Sequence, residues 1–314
     1  MKKCLLVAVL TLLIVSICIP AAAQDDSDSS CSGVLLFEGR ARASVTNTTA
    51  AYGLLVNLSD EPVTLTGGST SAAEVVEVHS MSISDDVMHM EPLPDGLTIP
   101  PHSHVTLEPG GMHLMLINLT ARLEAGTTLD LTFEFNGAEN IPVSLPVMDI
   151  ESDMSAEMSS GEIQGGMAGL ADDCHGVFVI SPWIRPSVTS TGAAYGLIIN
   201  LTDTDITLTG GSTDAAEVIE IHSVTVDDED VMHMEPLPNG LTLPPSAYAI
   251  LQPGGMHLML VNLTEMLIAG DSIDLTLEFE GADSITLPVP IIDPDADSSD
   301  LNHDHMEGMS EHDG

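Results

Sequence analysis

Basic side chains are almost missing from this chain of 314 residues. Six Lys and Arg stand against 48 Asp and Glu, for a formal net charge of −42, and two of the six are Lys2 and Lys3. Beyond them the chain carries Arg40, Arg42, Arg122 and Arg185 and no lysine. Nucleic acid and anionic lipid are therefore disfavoured as partners, because phosphates are held by cationic side chains. Aromatics make up only 3%, so any core must be aliphatic. Cysteine is equally scarce, with Cys4 and Cys18 in an N-terminal apolar segment and Cys31 and Cys174 elsewhere. No apolar run outside that segment approaches the roughly 20 residues of a membrane span.

The apolar segment itself has the layout of a secretory leader over residues 1–23. Lys2 and Lys3 precede Leu5–Ile19, and Ala21-Ala22-Ala23 supplies a small-residue cleavage site before Gln24. Anchoring through Cys18 is the lesser reading, since Ile17 stands where a lipoprotein signal wants a small residue. The expectation is a secreted or cell-envelope protein with no membrane insertion after cleavage. In such an oxidising setting Cys31 and Cys174 are expected to pair, with free thiols as metal ligands the alternative. The acidic surface keeps the protein solvated and also concentrates cations.

The chain repeats itself. Tyr52-Gly-Leu-Leu-Val-Asn-Leu returns from Tyr195, Thr64-Leu-Thr-Gly-Gly-Ser-Thr from Thr207, and Pro109-Gly-Gly-Met-His-Leu-Met-Leu from Pro253. Within each copy, Leu129, Leu131, Phe133 and Phe135 (and Ile273, Leu275, Leu277 and Phe279) alternate with polar residues, and Gly and Pro punctuate the runs. Period two in many short segments predicts an all-β fold of two tandem antiparallel β-sandwich domains, 31–150 and 174–292. Residues 151–173 read as a flexible acidic linker and 293–314 as a disordered acidic tail holding His303, His305, Met306, Met309 and His312.

Each copy carries the same histidine and methionine set: His79, Met90, His113 and Met115, then His222, Met234, His257 and Met259. On a strand, alternate residues face one way, so His113 projects with Met115 and His257 with Met259. Met88 and Met232 share a face with Met90 and Met234, so either member of each pair is a candidate. His89 and His233 face away, Met112 and Met256 read as core, and His102 and His104 have no histidine counterparts in the second copy. Thioether sulfur is soft and uncharged and suits Cu(I) better than zinc, calcium or magnesium. Zinc would want thiolate or carboxylate beside the histidine. No nucleophile–base pair or phosphate loop is evident, so the chain is not expected to be an enzyme.

These residues also resemble a known family, the PCuAC-type copper(I) chaperones of the bacterial cell envelope. The family's spacing is a histidine, about ten residues, a methionine, then His-x-Met some twenty residues on. His79, Met90, His113 and Met115 follow it with ten residues in the first gap; His222, Met234, His257 and Met259 follow it with eleven. Ala73-Glu-Val-Val-Glu-Val-His79, Met90-Glu-Pro-Leu and Trp183-Ile-Arg-Pro also look like the family's text. The resemblance implies cupredoxin-like sandwiches that hold Cu(I) near the surface and deliver it to an acceptor, such as the CuA domain of cytochrome c oxidase. Two features depart from the pattern: the tandem arrangement, and Glu91 and Glu235 where a positive residue often follows the methionine. A copper buffer without a dedicated acceptor is the alternative expectation, and a metal-free adhesive sandwich a third.

Overall fold

Alternating apolar residues make each repeat a stack of short strands, and no helix occurs among the described residues. The structure, a computed structural model, describes residues 31–84, 87–149, 164–165, 167–169, 174–226 and 231–294. The leader expected at 1–23 and the tail histidines and methionines lie outside the described residues, as does most of the 151–173 segment.

In the first repeat, one layer contains Val34–Arg42, Thr48–Asn57, Ala73–Ser84, Val87–Pro92, Ser103–Leu107 and His113–Leu119. The other contains Val63–Ser69, Leu97–Ile99, Thr128–Asn136 and Ile141–Met148. Leu36, Ala51, Leu55, Val78, Leu114 and Leu116 from the first layer meet Leu65, Leu129, Leu131 and Phe133 from the second in one aliphatic core. The second repeat does the same around Ile198, Leu208, Ile221, Leu258, Leu260, Leu275 and Leu277. The fold class is thus all-β, with a departure from the antiparallel expectation that the parallel Ile184–Ile291 bridge repeats in the second copy. Ala41 and Arg42 pair parallel with Val147 and Met148, which joins the first strand to the last and links the two layers. A register shift between Phe37 and Arg40 bends the strand before this point, and Ala41 then pairs antiparallel with Ala51 on one edge and parallel with Val147 on the other. Gly53 faces that bulge at φ 154°, where an added Cβ would come within 3.0 Å of the Phe37 carbonyl oxygen.

The two repeats are docked. In Thr48–Asn57, Ala51 and Leu55 face the core, while Leu54 and Val56 on the opposite face join a separate cluster. That cluster adds Leu35 and Phe37 from the first repeat and Ile180, Leu197, Ile199 and Tyr248 from the second. Being buried on both faces explains why Leu54-Leu55-Val56 and Leu197-Ile198-Ile199 are unbroken apolar runs rather than alternating ones. Phe37 packs on Tyr248, the Tyr248 hydroxyl hydrogen-bonds Glu38, and the Ser181 amide donates to the His102 carbonyl at 3.2 Å. Cys31 and Cys174 form a disulfide beside this seam. Part of the segment expected to be a flexible linker is strand instead. Gln164–Gly165 pairs with Ala247–Leu251 of the second repeat, and Met167–Ala168 with Val34–Arg42 of the first. These short additions cover sheet edges whose amides and carbonyls would otherwise lack partners.

Asn57 and Asn200, which with Ser59 and Thr202 match the short pattern of a glycosylation acceptor, are fully buried. Each amide donates to three carbonyls, those of Glu61, Ile99 and Pro100 or of Thr204, Leu243 and Pro244. They clamp loops and are inaccessible to a sugar.

Candidate metal centre

The outward face of the same layer carries the histidine and methionine set. His79 lies directly opposite His113 in the ladder between Ala73–Ser84 and His113–Leu119, and their ring centroids are 5.8 Å apart. His222 and His257 repeat the pairing at 5.7 Å. Val78 and Leu114 point into the core, so His79, His113 and Met115 must point out of it. The hairpin of Ala73–Ser84 with Val87–Pro92 then brings Met90 over this face. Met90, His113 and Met115 line a cavity of about 940 Å³; Met234, His257 and Met259 line one of about 330 Å³.

The ring nitrogens are sorted by their hydrogen bonds. His79 Nε2 meets the Glu77 carboxylate at 3.3 Å and His222 Nε2 meets Glu220 at 3.0 Å. A carboxylate only accepts, so Nε2 carries the proton and Nδ1 of the neutral ring keeps its lone pair. Nδ1 of both residues is buried and has no hydrogen-bond partner. His113 Nδ1 donates to the Gly111 carbonyl at 3.1 Å and His257 Nδ1 to Gly255 at 3.0 Å, leaving Nε2 as the acceptor. Burial holds the His113 pKa below its ordinary value; the Gly111 hydrogen bond opposes this, and His79, when protonated, and Arg42 add to it. Each repeat thus offers two imidazoles whose hydrogen bonds leave one ring nitrogen apiece as the donor to a metal, beside thioether sulfurs. A buried nitrogen with no partner fits a metal site, where a ligand histidine anchors its other nitrogen on a carboxylate or carbonyl. Among the described residues no group of three or more His, Cys, Asp or Glu is placed to hold a metal.

The structure brings together most of what the spacing singled out. Met90 and Met234 are 46% and 53% exposed and form the outer lip. Met232 lines the second cavity beside Met234, so both remain candidates there; the Met88 side chain lies outside the described residues. His89 and His233 are exposed and line neither cavity, while Met256 is buried in the core and Met112 packs against its own.

Other residues were not singled out from sequence. Glu77 and Glu220 sit two residues before a ligand-type histidine, which period two places on the same face. Tyr52 and Tyr195 stand 6.4 and 6.3 Å from the rings of His113 and His257. Arg40 and Arg42 lie over the Tyr52 ring at 5.4 and 5.3 Å, whereas Tyr195 stacks on Trp183. Burial raises the Tyr195 pKa, opposed by Arg185. His104, with Tyr248 as its counterpart, lines the first cavity; burial lowers its pKa and its Nδ1 has no partner. Ile250 and Gln252 of the second repeat line the same cavity.

A family profile described as "Putative lipoprotein LpqE-like" matches residues 34–147 and 177–291, one copy per repeat. The chain belongs to the LpqE-like family. A relative from Leifsonia xyli subsp. xyli, named "Putative lipoprotein Lxx21020", is 32% identical to this LpqE-like chain over 131 residues, 42% of the chain and 78% of the relative. Among solved structures, Cu(I)-bound DR1885 from Deinococcus radiodurans shares 30% identity at a TM-score of 0.32, covering 40% of this chain and 85% of its own. The apo PCuAC domain of PmoF2 shares 26% at a TM-score of 0.33, covering 39% and 95%.

Proposed function

We propose that this LpqE-like protein is an extracytoplasmic Cu(I) carrier with one site per repeat. In this reading His79, Met90, His113 and Met115 hold one ion and His222, Met234, His257 and Met259 hold the other. The observation that carries it is the buried, unpartnered Nδ1 of His79 and of His222, each beside a second histidine whose Nε2 is free. The lipoprotein description of the family and the Cys31–Cys174 disulfide support a location outside the cytoplasm.

Each residue has a part. Glu77 and the Gly111 carbonyl fix which nitrogen faces the metal, so no tautomer change is needed on binding. The uncharged, soft set of two imidazoles and two thioethers favours Cu(I) over Cu(II) and over zinc. The exposed Met90 and Met234 are the donors an incoming protein reaches first. Replacing one thioether at a time lets the ion cross to an acceptor, such as the CuA domain of cytochrome c oxidase, without becoming free. The chain's own chemistry here is binding and release, with no bond-making residue invoked.

Storage without a dedicated acceptor is the second reading. The place of Ile250 and Gln252 in the wall of the first cavity favours it, because a second repeat beside the ion narrows an acceptor's approach. One experiment separates the two. The protein loaded with two equivalents of Cu(I) is mixed with an apo-CuA domain, and metal in each is measured after separation. Carriage predicts transfer that is complete within minutes; retention of both ions supports storage, and failure to load two ions overturns the paired-site reading.

A further inference from the structure

We propose that Met81 is an additional sulfur ligand, which makes the first repeat the tighter of two unequal Cu(I) sites. The inference rests on the four-ligand reading above and extends it to a residue outside the repeated set.

Met81 follows His79 by two positions on the same strand, so both side chains leave the sheet on the same outward face. It lies directly opposite Met90 in the hairpin ladder. Directly opposed residues hold their Cβ atoms about 5 Å apart. Met81 lines the same cavity as Met90, His113 and Met115, and it is half-buried where Met90 is exposed. At the matching position of the second repeat, opposite Met234, stands Val224, which lines the second cavity and has no donor atom. The four-ligand set and the groups that orient it are duplicated: both histidines, both methionines, Glu77 with Glu220, and the carbonyls of Gly111 with Gly255. The exchange of valine for methionine therefore stands out against the repeated ligand set, because it falls directly opposite one of the repeated methionines.

A soft thioether beside the exposed Met90 changes release more than capture. When an acceptor pulls Met90 away, Met81 keeps a sulfur on the ion, so the first site does not fall to three donors. The second site has no such replacement on that strand and gives up its ion first. Two sites of unequal hold allow one protein both to exchange copper and to retain it.

The test uses the full chain with its disulfide intact, loaded with two equivalents of Cu(I) and titrated with a chromogenic Cu(I) chelator. His257→Ala disables the second site and assigns the remaining ion to the first. The wild type should release its ions at two chelator concentrations separated by roughly tenfold or more, the range that altered ligand surroundings produce. Met81→Val should move the tighter step onto the weaker one, and Val224→Met should move the weaker step toward the tighter. X-ray absorption on the His257→Ala protein should count one sulfur fewer after Met81→Val. Two ions released together, or an unchanged profile and sulfur count in Met81→Val, overturn the proposal while leaving the four-ligand sites standing. Should Met81→Val fail to fold by thermal melting, Val224→Met reads the same claim as a gain. Loss of one ion in His257→Ala separates all of this from a failure of the four-ligand reading, in which binding would survive removal of the histidines.

Discussion

Phe37 of the first repeat and Tyr248 of the second meet with ring centroids 4.8 Å apart, at a tilt of 55°. Both are buried, and the Tyr248 hydroxyl reaches Glu38, the residue next to Phe37. This contact makes the outward sheet face continuous. Ala50 and Tyr52 flank the candidate site, and Leu54 and Val56, two and four residues on from Tyr52, are already in the seam. Candidate metal site and domain seam thus share one face of one strand.

Tyr248 should accordingly matter to stability more than its single hydroxyl suggests. Tyr248→Phe keeps the ring and loses the bond to Glu38, costing roughly 1.5–3 kcal/mol for a hydrogen bond to a charged group. Tyr248→Ala also empties the seam and should cost about 3–5 kcal/mol. Denaturant unfolding measures both, and equal effects would show that the ring contributes nothing.

Burial raises the Tyr248 pKa, with the Glu38 charge and hydrogen bond adding to the rise and Arg40 opposing it. A group whose folded pKa lies above its unfolded one holds its full stabilisation below the unfolded value. That stabilisation declines as pH climbs past the ordinary tyrosine value of 10.0. Thermal melts between pH 9 and 11 should show a fall in the wild type that is smaller in Tyr248→Phe.

The disulfide closes a loop of 143 residues. Chain entropy alone assigns about 5 kcal/mol to a closure of that length. Cys31→Ser should lower the melting temperature strongly while leaving Cu(I) stoichiometry at two, because neither cysteine lines a metal cavity. Loss of an ion in Cys31→Ser would return the thiols to the list of ligands.

His113→Ala should abolish the first Cu(I) site, whereas His89→Ala should leave it intact, since His89 is exposed and lines no cavity. Zinc at equal concentration should displace little copper from the wild type. Competition with a Cu(I) chelator measures the first, and metal analysis after zinc challenge the second.

Glu77→Gln keeps the size of the His79 partner and removes its charge. Cu(I) affinity at the first site should fall by roughly ten- to a hundredfold, as for other residues that orient a ligand histidine. Restoration by Glu77→Asp is not expected, because the shorter chain ends short of Nε2. An unchanged affinity in Glu77→Gln would mean that the carboxylate plays no part in aiming the ring.

The sequence alone determined the strand composition, the duplication and the donor chemistry. Period two is a local property, so Leu129 to Phe135 announces its strand without help from the rest of the chain. Donor softness is a property of side chains, so His113-Leu-Met115 names its class of metal before any fold is known. The spacing between His79 and His113 carried no statement that they pair; only the ladder that sets one opposite the other does. The tertiary structure also decided the seam, since Leu54 is buried by residues more than 100 positions away, and no local pattern tells a second core from a buried face. It placed Met81 in the site by the same logic. A methionine reads as core filler until the pairing of Ala73–Ser84 with Val87–Pro92 sets its register. Register belongs to two strands at once, so neither strand's sequence contains it.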